Sequence, residues 1–332
     1  DADMVYRLLM DPSDPQIIIA ATSNGVYKTM DGGTYWHHFL SSASFIDMEY
    51  KPGDFNTLYG STTNGRIFIS SDAGFSWSEM MVDPGARRIE LAVSPHQPGW
   101  LYALVVAENS GLFGIYKSIN SGGTFTQVFS GSTLNLLGWD SDGGDSGGQG
   151  WYDLSLAVSP TNANTVLTGG VNTWRSDNGG SAWAIVNHWW GDGVPAAHAD
   201  KHWLTYRYNG DLFECNDGGV YLSSDNGTTW SDKSNGMVIS QMYKLGVSAT
   251  VSGEVITGLQ DNGTKLLSGG SWLDVKGGDG MECLIDYTNV NIQYGTYVNG
   301  QISRTTNHWA SSTNIQPAAA GKIGRASCRE RV

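Results

Sequence analysis

The stretch "SSDAGFSW" at 70–77 reads alone as a polar turn, but close copies stand at four other places. They are "TMDGGTYW" (29–36), "SINSGGTF" (118–125), "SDNGGSAW" (176–183) and "SSDNGTTW" (223–230). The shared pattern is Ser/Thr-x-Asp/Asn-x-Gly-x-x-Trp/Phe, with Asp31, Asp72, Asn120, Asn178 and Asp225 at its polar centre. Alternating apolar residues precede it, as in "GVYKT", "RIFIS", "GIYKS" and "GVYLS", the period-2 pattern of a strand. Asp or Asn can bond the turn's own amides, glycine accepts positive φ, and the aromatic begins the returning strand with a large area to bury. Each copy is therefore expected to be a hairpin. Weaker copies are expected to end at Trp272 and Trp309.

A second repeat lies upstream of the hairpins, in segments such as "RLLMDP", "ELAVSP" and "SLAVSP", each followed by a further apolar run. One unit thus reads strand, strand, strand, turn, strand. Such units recurring every 40 to 60 residues or so describe β-propeller blades. The expected fold is all-β, a propeller of about seven four-stranded blades over residues 1–316. Because the last blade stops soon after Trp309, the ring could stay open or belong to a larger propeller.

Composition fits a folded chain and narrows the partners. Of 332 residues, 40% are hydrophobic and 44 are glycine, consistent with a packed β protein rich in turns. Formal charge is −13, which repels nucleic-acid phosphates. No apolar run is long enough to span a membrane as a helix. The opening "DADMVYRLLMDP" carries no signal peptide and reads as a cut inside a longer protein. The tail 317–332, ending "GKIGRASCRERV", differs in composition from the rest and has the look of a cloning or assembly scar. Cys215 and Cys283 are too few for a disulfide scaffold; they could pair with each other, but read first as isolated buried thiols.

In a blade, the turns of the repeat lie on one face, so their Asp and Asn residues are structural. The opposite face receives the second-to-third strand turns and the connections between blades. Two such connections are long: "LNLLGWDSDGGDSGGQGWYD" (134–153) and "NHWWGDGVPAAHADKHW" (187–203). Long loops in compact folds carry function or disorder, and Trp139, Trp151, Trp189, Trp190 and Trp203 argue against disorder. Aligning the first strands of the blades on Val93, Val158, Tyr206, Val247 and Ile285 places Arg87, Arg88, Tyr152, Asp153, Asp200, His202, Gln241, Asp279 and Glu282 near one mouth. Asp217 and Asp261, in second-to-third strand turns, should overhang it.

This acidic, Trp-rimmed mouth suits sugars, whose C–H faces stack on tryptophan while hydroxyls bond carboxylates. Trp151, Trp189, Trp190, His198, His202, Asp217 and Glu282 are the candidate ligand-binding residues. A glycosidase would need two carboxylates flanking the scissile bond, and Asp153, Asp200, Asp261 and Asp279 are the candidates. His198, Asp200 and His202 alternate, so on a strand they would share one side and could hold a divalent metal. "DSDGGD" (140–145) is oxygen-rich enough to suggest Ca²⁺, without the full spacing of an EF-hand. No cofactor is required by either reading.

The turn motif resembles the Asp-box, or BNR repeat, of sialidases, xyloglucanase-type endoglucanases, sortilin-type receptors and photosystem-assembly propellers. "GQGWYDLSLAVSP" (148–160), "HADKHW" (198–203), "CNDGGVYLSSDNGTTW" (215–230), "LQDNGT" (259–264) and "GGDGMECLID" (277–286) further resemble large secreted, sortilin-like propeller proteins of Bacteroidetes. That resemblance implies export to the surface or medium and leaves activity open. The arginine triad of sialidases has no evident counterpart, and xyloglucanases place their carboxylates on two tandem propellers. Three functions remain: a propeller binding glycan or extracellular protein, a glycoside hydrolase using two mouth aspartates, and a sortilin-like peptide receptor.

Overall fold

The computed structural model describes residues 4–41, 43–82, 85–237, 241–260, 263–277, 280–297 and 300–316. The chain is a β-propeller of seven four-stranded antiparallel blades, each a meander of consecutive strands. The blades occupy residues 5–40, 45–82, 86–130, 155–187, 201–232, 242–276 and 280–314. No α-helix occurs among the described residues. Residues 1–46 with 240–332 form one compact unit and residues 47–239 a second.

In the second unit, period-2 alternation lets a single strand feed two cores. From Leu101–Ala107, Leu101, Ala103 and Val105 join Tyr59 and Ile67 of the preceding blade. Tyr102, Leu104 and Val106 join Leu156, Val166 and Trp174 of the following one. The first strands Ala86–Val93, Ser155–Val158 and Lys201–Tyr206 lie against one another, whereas fourth strands such as Thr126–Ser130 and Ser231–Asp232 are largely exposed. The first strand of each blade is therefore the inner one. Val93, Val158 and Tyr206 end these strands, as the alignment expects.

The repeated turn is built alike in five blades. In blade two, Ser70 Oγ receives the Gly74 amide at 2.8 Å and donates to Asp72 Oδ1 at 2.8 Å. Asp72 Oδ1 also accepts the Ser76 amide at 2.8 Å. Asp31, Asn120, Asn178 and Asp225 each accept the amide four residues on, at 2.8–2.9 Å. The turns tie back to the first-to-second strand connection of their own blade, through Gly32 N to Gln16 O, Ser121 N to Gly99 O and Gly179 N to Asn164 O. They therefore sit at the blade end opposite the second-to-third strand turns. Each glycine abuts the preceding blade: a Cβ at Gly122 would lie 2.2 Å from Ile69 Cδ1, and at Gly180 3.2 Å from Val128 Cγ2. Asp72→Ala removes three bonds at an exposed turn and should lower stability by about 1 kcal/mol. Urea melts would show this; loss of ligand binding by the folded variant would contradict a purely structural role.

In the first unit, blade seven packs on blade one through Tyr294, Leu284 and Ile315 against Leu8, Met10 and Ile18. Thr313–Asn314 pairs with Gln301–Thr305 as the fourth strand. The last blade thus has its fourth strand and packs on the first blade, so it does not stop short after Trp309. The two weaker repeat copies also differ from expectation. Ser268 pairs with Ser271 around Gly269 and Gly270, both at positive φ (58° and 82°), so Trp272 follows a two-residue hairpin rather than the repeated turn. Near residue 309 the turn does form: Thr305 Oγ1 takes the Trp309 amide at 2.9 Å, and Asn307 Oδ1 takes that of Ser311 at 2.9 Å. Trp309 therefore occupies the glycine position, at φ 64°, not the aromatic one. Its indole donates to Gln293 Oε1 at 2.7 Å and packs with Ile256 and Leu266 of blade six, which offsets a strained backbone.

Candidate functional site

The two long connections fold together in the second unit, at the end of the blades opposite the repeated turns. Asn135 is buried and organises the first: its Oδ1 accepts the amides of Leu112 (2.9 Å) and Leu137 (3.2 Å), and its Nδ2 donates to Gly147 O (2.7 Å) and Asp145 O (3.1 Å). Leu136, Leu137 and Leu154 then enter the core between blades three and four. Asn172, in the second-to-third strand turn of blade four, joins the two connections. Its Nδ2 donates to the carbonyls of Gly138 and Trp139, both at 3.2 Å, and its Oδ1 accepts the Trp189 amide at 3.2 Å. His188 Nε2 lies 3.0 Å from Trp139 O, and Ser141 bonds Asp192 across the same seam. Neither Asn172 nor His188 was singled out from sequence; each is a lone polar residue whose partners lie tens of residues away.

This scaffold presents tryptophan to solvent. Trp151 and Trp190 are 62% and 60% exposed, with Trp139 and Trp189 at 41% and 40%. Trp189 and Trp190 lie with ring centroids 4.3 Å apart, and Trp151 leans on Tyr152 at 5.5 Å.

Beneath them lies the polar cluster. Asp217, in the second-to-third strand turn of blade five, accepts Tyr152 OH at 3.1 Å, and its Oδ1 lies 2.9 Å from His202 Nε2. The Tyr152 and His202 rings meet edge to face at 4.8 Å. Gln149 Nε2 donates to Asp200 Oδ1 at 2.9 Å, and Arg88 Nη1 donates to Tyr152 O at 3.0 Å. Asp153 is 1% exposed, and neither carboxyl oxygen has a hydrogen-bond partner outside its own residue. Next to it in space, Lys201 is fully buried and spends its ammonium on Val171 O at 2.6 Å and Ala197 O at 3.5 Å. His198 lies against Gly218, where a Cβ would come within 2.4 Å of the histidine side chain.

The environments drive these carboxyls apart. Burial, reinforced by the charge of Asp200, pushes Asp153 well above the usual carboxylate range against the weaker pull of Arg88 and Lys201. Burial and then the charge of Asp217 raise Asp200, despite His202, Lys201 and the Gln149 bond. Burial also works on Asp217, but the bond and charge of His202, the Tyr152 hydroxyl and His198 outweigh it and hold that carboxyl below its ordinary value. Burial lowers the Lys201 ammonium.

The structure thus brings Asp153, His198, Asp200, His202 and Asp217 together with Trp151, while Trp189 and Trp190 stand on the adjoining connection. Asp261 and Asp279 lie outside the described residues. Glu282 belongs to the other unit, on Gly280–Ile285, where burial raises its carboxyl and Oε2 has no partner. The strand alternation expected for 198–202 does not occur. The strand begins at Lys201, and Asp200 takes a left-handed backbone (φ 65°), so His198, Asp200 and His202 do not share a strand face. Among the described residues no three His, Cys, Asp or Glu side chains are placed to hold a metal. In 140–145, Asp142 Oδ1 accepts the Gly144 amide at 2.9 Å and Asp145 Oδ2 that of Trp139 at 2.7 Å, so this loop is closed by its own backbone. Cys215 and Cys283 are free thiols, and burial pushes Cys215 up to about 12.

No family model and no curated protein matches the chain. Solved structures match at the level of fold. An ancestral GH74 enzyme shares 17% identity over 92% of this chain and 44% of its own, with a TM-score of 0.60. YCF48 bound to D1 peptide shares 15% over 92% of both chains, with a TM-score of 0.57. The extracellular domain of a hybrid two-component system from B. thetaiotaomicron shares 14% over 92% of this chain and 40% of its own, with a TM-score of 0.62. The chain spans less than half the length of that enzyme and of that two-component protein. No helix is long and apolar enough to cross a membrane. At these identities, the likeness establishes a seven-bladed β-propeller of the architecture shared by GH74 enzymes, YCF48 and a bacterial extracellular domain.

Proposed function

We propose that this propeller binds glycan at the tryptophan-rimmed end of blades three to five, as part of a secreted or cell-surface protein. The observation that carries the reading is the set of four exposed tryptophans held by two connections that Asn135, Asn172 and His188 lock in place. Exposed aromatic faces beside carboxylates and hydroxyls suit a sugar ring, and a scaffold ordered before binding loses little entropy on ligation. The Asp-box likeness of the turns and the extracellular neighbour support export. The same mouth facing an extracellular protein or a sortilin-type peptide ligand is what the test must separate from sugar. The stacking needs no cofactor or Ca²⁺. A glycan array followed by calorimetry tests the proposal. Trp190→Ala should weaken binding of the selected oligosaccharide about tenfold, the loss of one large contact face, with an unchanged melting temperature. Array-wide silence alongside peptide binding would overturn it.

A glycoside hydrolase is the second reading, favoured by the opposed carboxyls. Asp200, raised and partly exposed, has the character of a proton donor, and Asp217, held ionised by His202 and Tyr152, that of its charged partner. Asp153 is too deeply buried to touch a substrate. Reducing ends released from a bound oligosaccharide, and abolished by Asp200→Asn, would establish it.

A further inference from the structure

We infer that Asn235 is a self-modification site, where the Gly236 amide nitrogen displaces the side-chain nitrogen as ammonia and water leaves a carboxylate in its place. The inference is independent of the glycan reading. Asn-Gly occurs eight times in the sequence. Six pairs fall among the described residues, beginning at Asn24, Asn64, Asn178, Asn209, Asn226 and Asn235; those at 262 and 299 lie outside them. Such pairs suit turns, since both residues tolerate unusual backbone angles. The glycine also leaves its amide nitrogen unshielded by a Cβ. Reaction brings that nitrogen onto the asparagine Cγ, so a hydrogen bond on either group opposes it.

Five of the six described pairs are held. Gly65 N donates to Arg87 O and Gly210 N to Arg207 O, each at 3.0 Å. Gly179 N donates to Asn164 O at 2.9 Å and Gly227 N to Ser223 Oγ at 2.7 Å. Gly25 pairs with Thr22 in its hairpin, tight against the Leu40 carbonyl. Asparagine side chains are engaged as well: Asn178 Oδ1 accepts the Ala182 amide, Asn226 Oδ1 the Tyr206 hydroxyl, and Asn209 Nδ2 donates to Asp211. Asn235 differs on every count. With Gly236 it lies exposed in the turn 234–237, closed by Met237 N to Ser234 O at 2.8 Å. Among the described residues, neither the Asn235 side chain nor the Gly236 amide takes part in a hydrogen bond. Gly236 stands at φ 85°, and a Cβ there would meet nothing within 4 Å. The peptide between the two residues can therefore rotate toward the side chain without a clash. The step balances without a redox partner. Gly236 N bonds to Asn235 Cγ, the Cγ–Nδ2 bond breaks, and ammonia leaves with the Gly236 proton. Water then opens the cyclic imide at either carbonyl, giving aspartate or, with the main chain routed through Cγ, isoaspartate. Ser234, which begins the turn, is buried, and its Oγ accepts the Val220 amide at 3.1 Å. The new charge thus arises at the end of blade five that carries Asp217.

The test is a timed incubation of the folded protein in mildly alkaline buffer, with a parallel sample in urea, followed by peptide mass mapping. In the folded protein, Asn235 should convert to aspartate and isoaspartate roughly tenfold faster than the other five described pairs, which must first give up hydrogen bonds. In urea that lead should vanish, because those hydrogen bonds are gone. An intact Asn235 in folded protein whose Asn64 or Asn209 pair has already reacted would overturn the inference. So would an undiminished lead in urea, which would assign the reactivity to local sequence rather than to the unbonded turn.

Discussion

Asp153→Asn should stabilise the protein at neutral pH, by on the order of 1–2 kcal/mol, because the folded wild type must hold a proton that the unfolded chain has released, and each tenfold mismatch in that proton affinity costs about 1.4 kcal/mol. The effect has a definite pH dependence. Burial and the Asp200 charge raise the folded-state carboxyl above its unfolded value of 3.8. In acid, below that unfolded value, wild-type Asp153 is protonated in both states, and the variant has no advantage. As pH rises toward the raised value, the unfolded chain releases the proton while the folded chain retains it, so wild-type stability falls with each step. The non-titrating asparagine escapes this fall, so its advantage grows across the window and then levels off. Denaturant melts of both proteins from pH 3 to pH 8 would trace it. A difference that does not change with pH would mean Asp153 is not held neutral.

Gly148→Ala should instead destabilise the protein, by about 3 kcal/mol, and should abolish the proposed glycan binding. A Cβ there would lie 2.3 Å from Leu137 O and 2.8 Å from Ser110 O. Both are backbone atoms, so no side-chain rotation relieves the overlap, and the first long connection must move off blade three. That movement breaks the Gly147 carbonyl bond to Asn135 and the neighbouring Gln149 bond to Asp200. Trp151 and Asp200 then lose their common frame. A thermal melt and the binding assay check it together. An alanine variant with native stability and native affinity would show that the close approach matters to neither.

Much of the fold was legible in the residues because it rests on short-range rules. Ser70, Asp72 and Gly74 bond one another within a single turn, and the strands beside them alternate with period two. Such patterns repeat along the chain and need no partner from afar, so five blades could be read directly and the inner strands aligned to their final residues. The failures share one cause. Trp309 has the look of the motif's aromatic end, but Thr305 and Asn307 set the register three residues later than a Trp-based reading assumes. His198, Asp200 and His202 alternate in sequence, yet the left-handed backbone at Asp200 removes the strand that would make the alternation mean anything.

The site divides in the same way. Composition and loop length pointed to the two long connections, their tryptophans, and Asp153, Asp200, His202 and Asp217. What each carboxyl is like depended on contacts that no local pattern encodes. Tyr152 and Asp217 are 65 residues apart, and Gln149 and Asp200 are 51. Asn172 reaches Gly138 across 34 residues. Lys201 carries no sequence signal of its role, yet it is buried beside Asp153 and Asp200 and donates to the carbonyls of Val171 and Ala197. Sequence alone determined that this chain repeats a four-stranded blade and carries its tryptophans and acids on two insertions, because backbone periodicity and turn chemistry are local. Only the tertiary structure decided which acid is buried, which is held ionised and which is half-exposed. Desolvation and charge coupling are set by groups that meet in space.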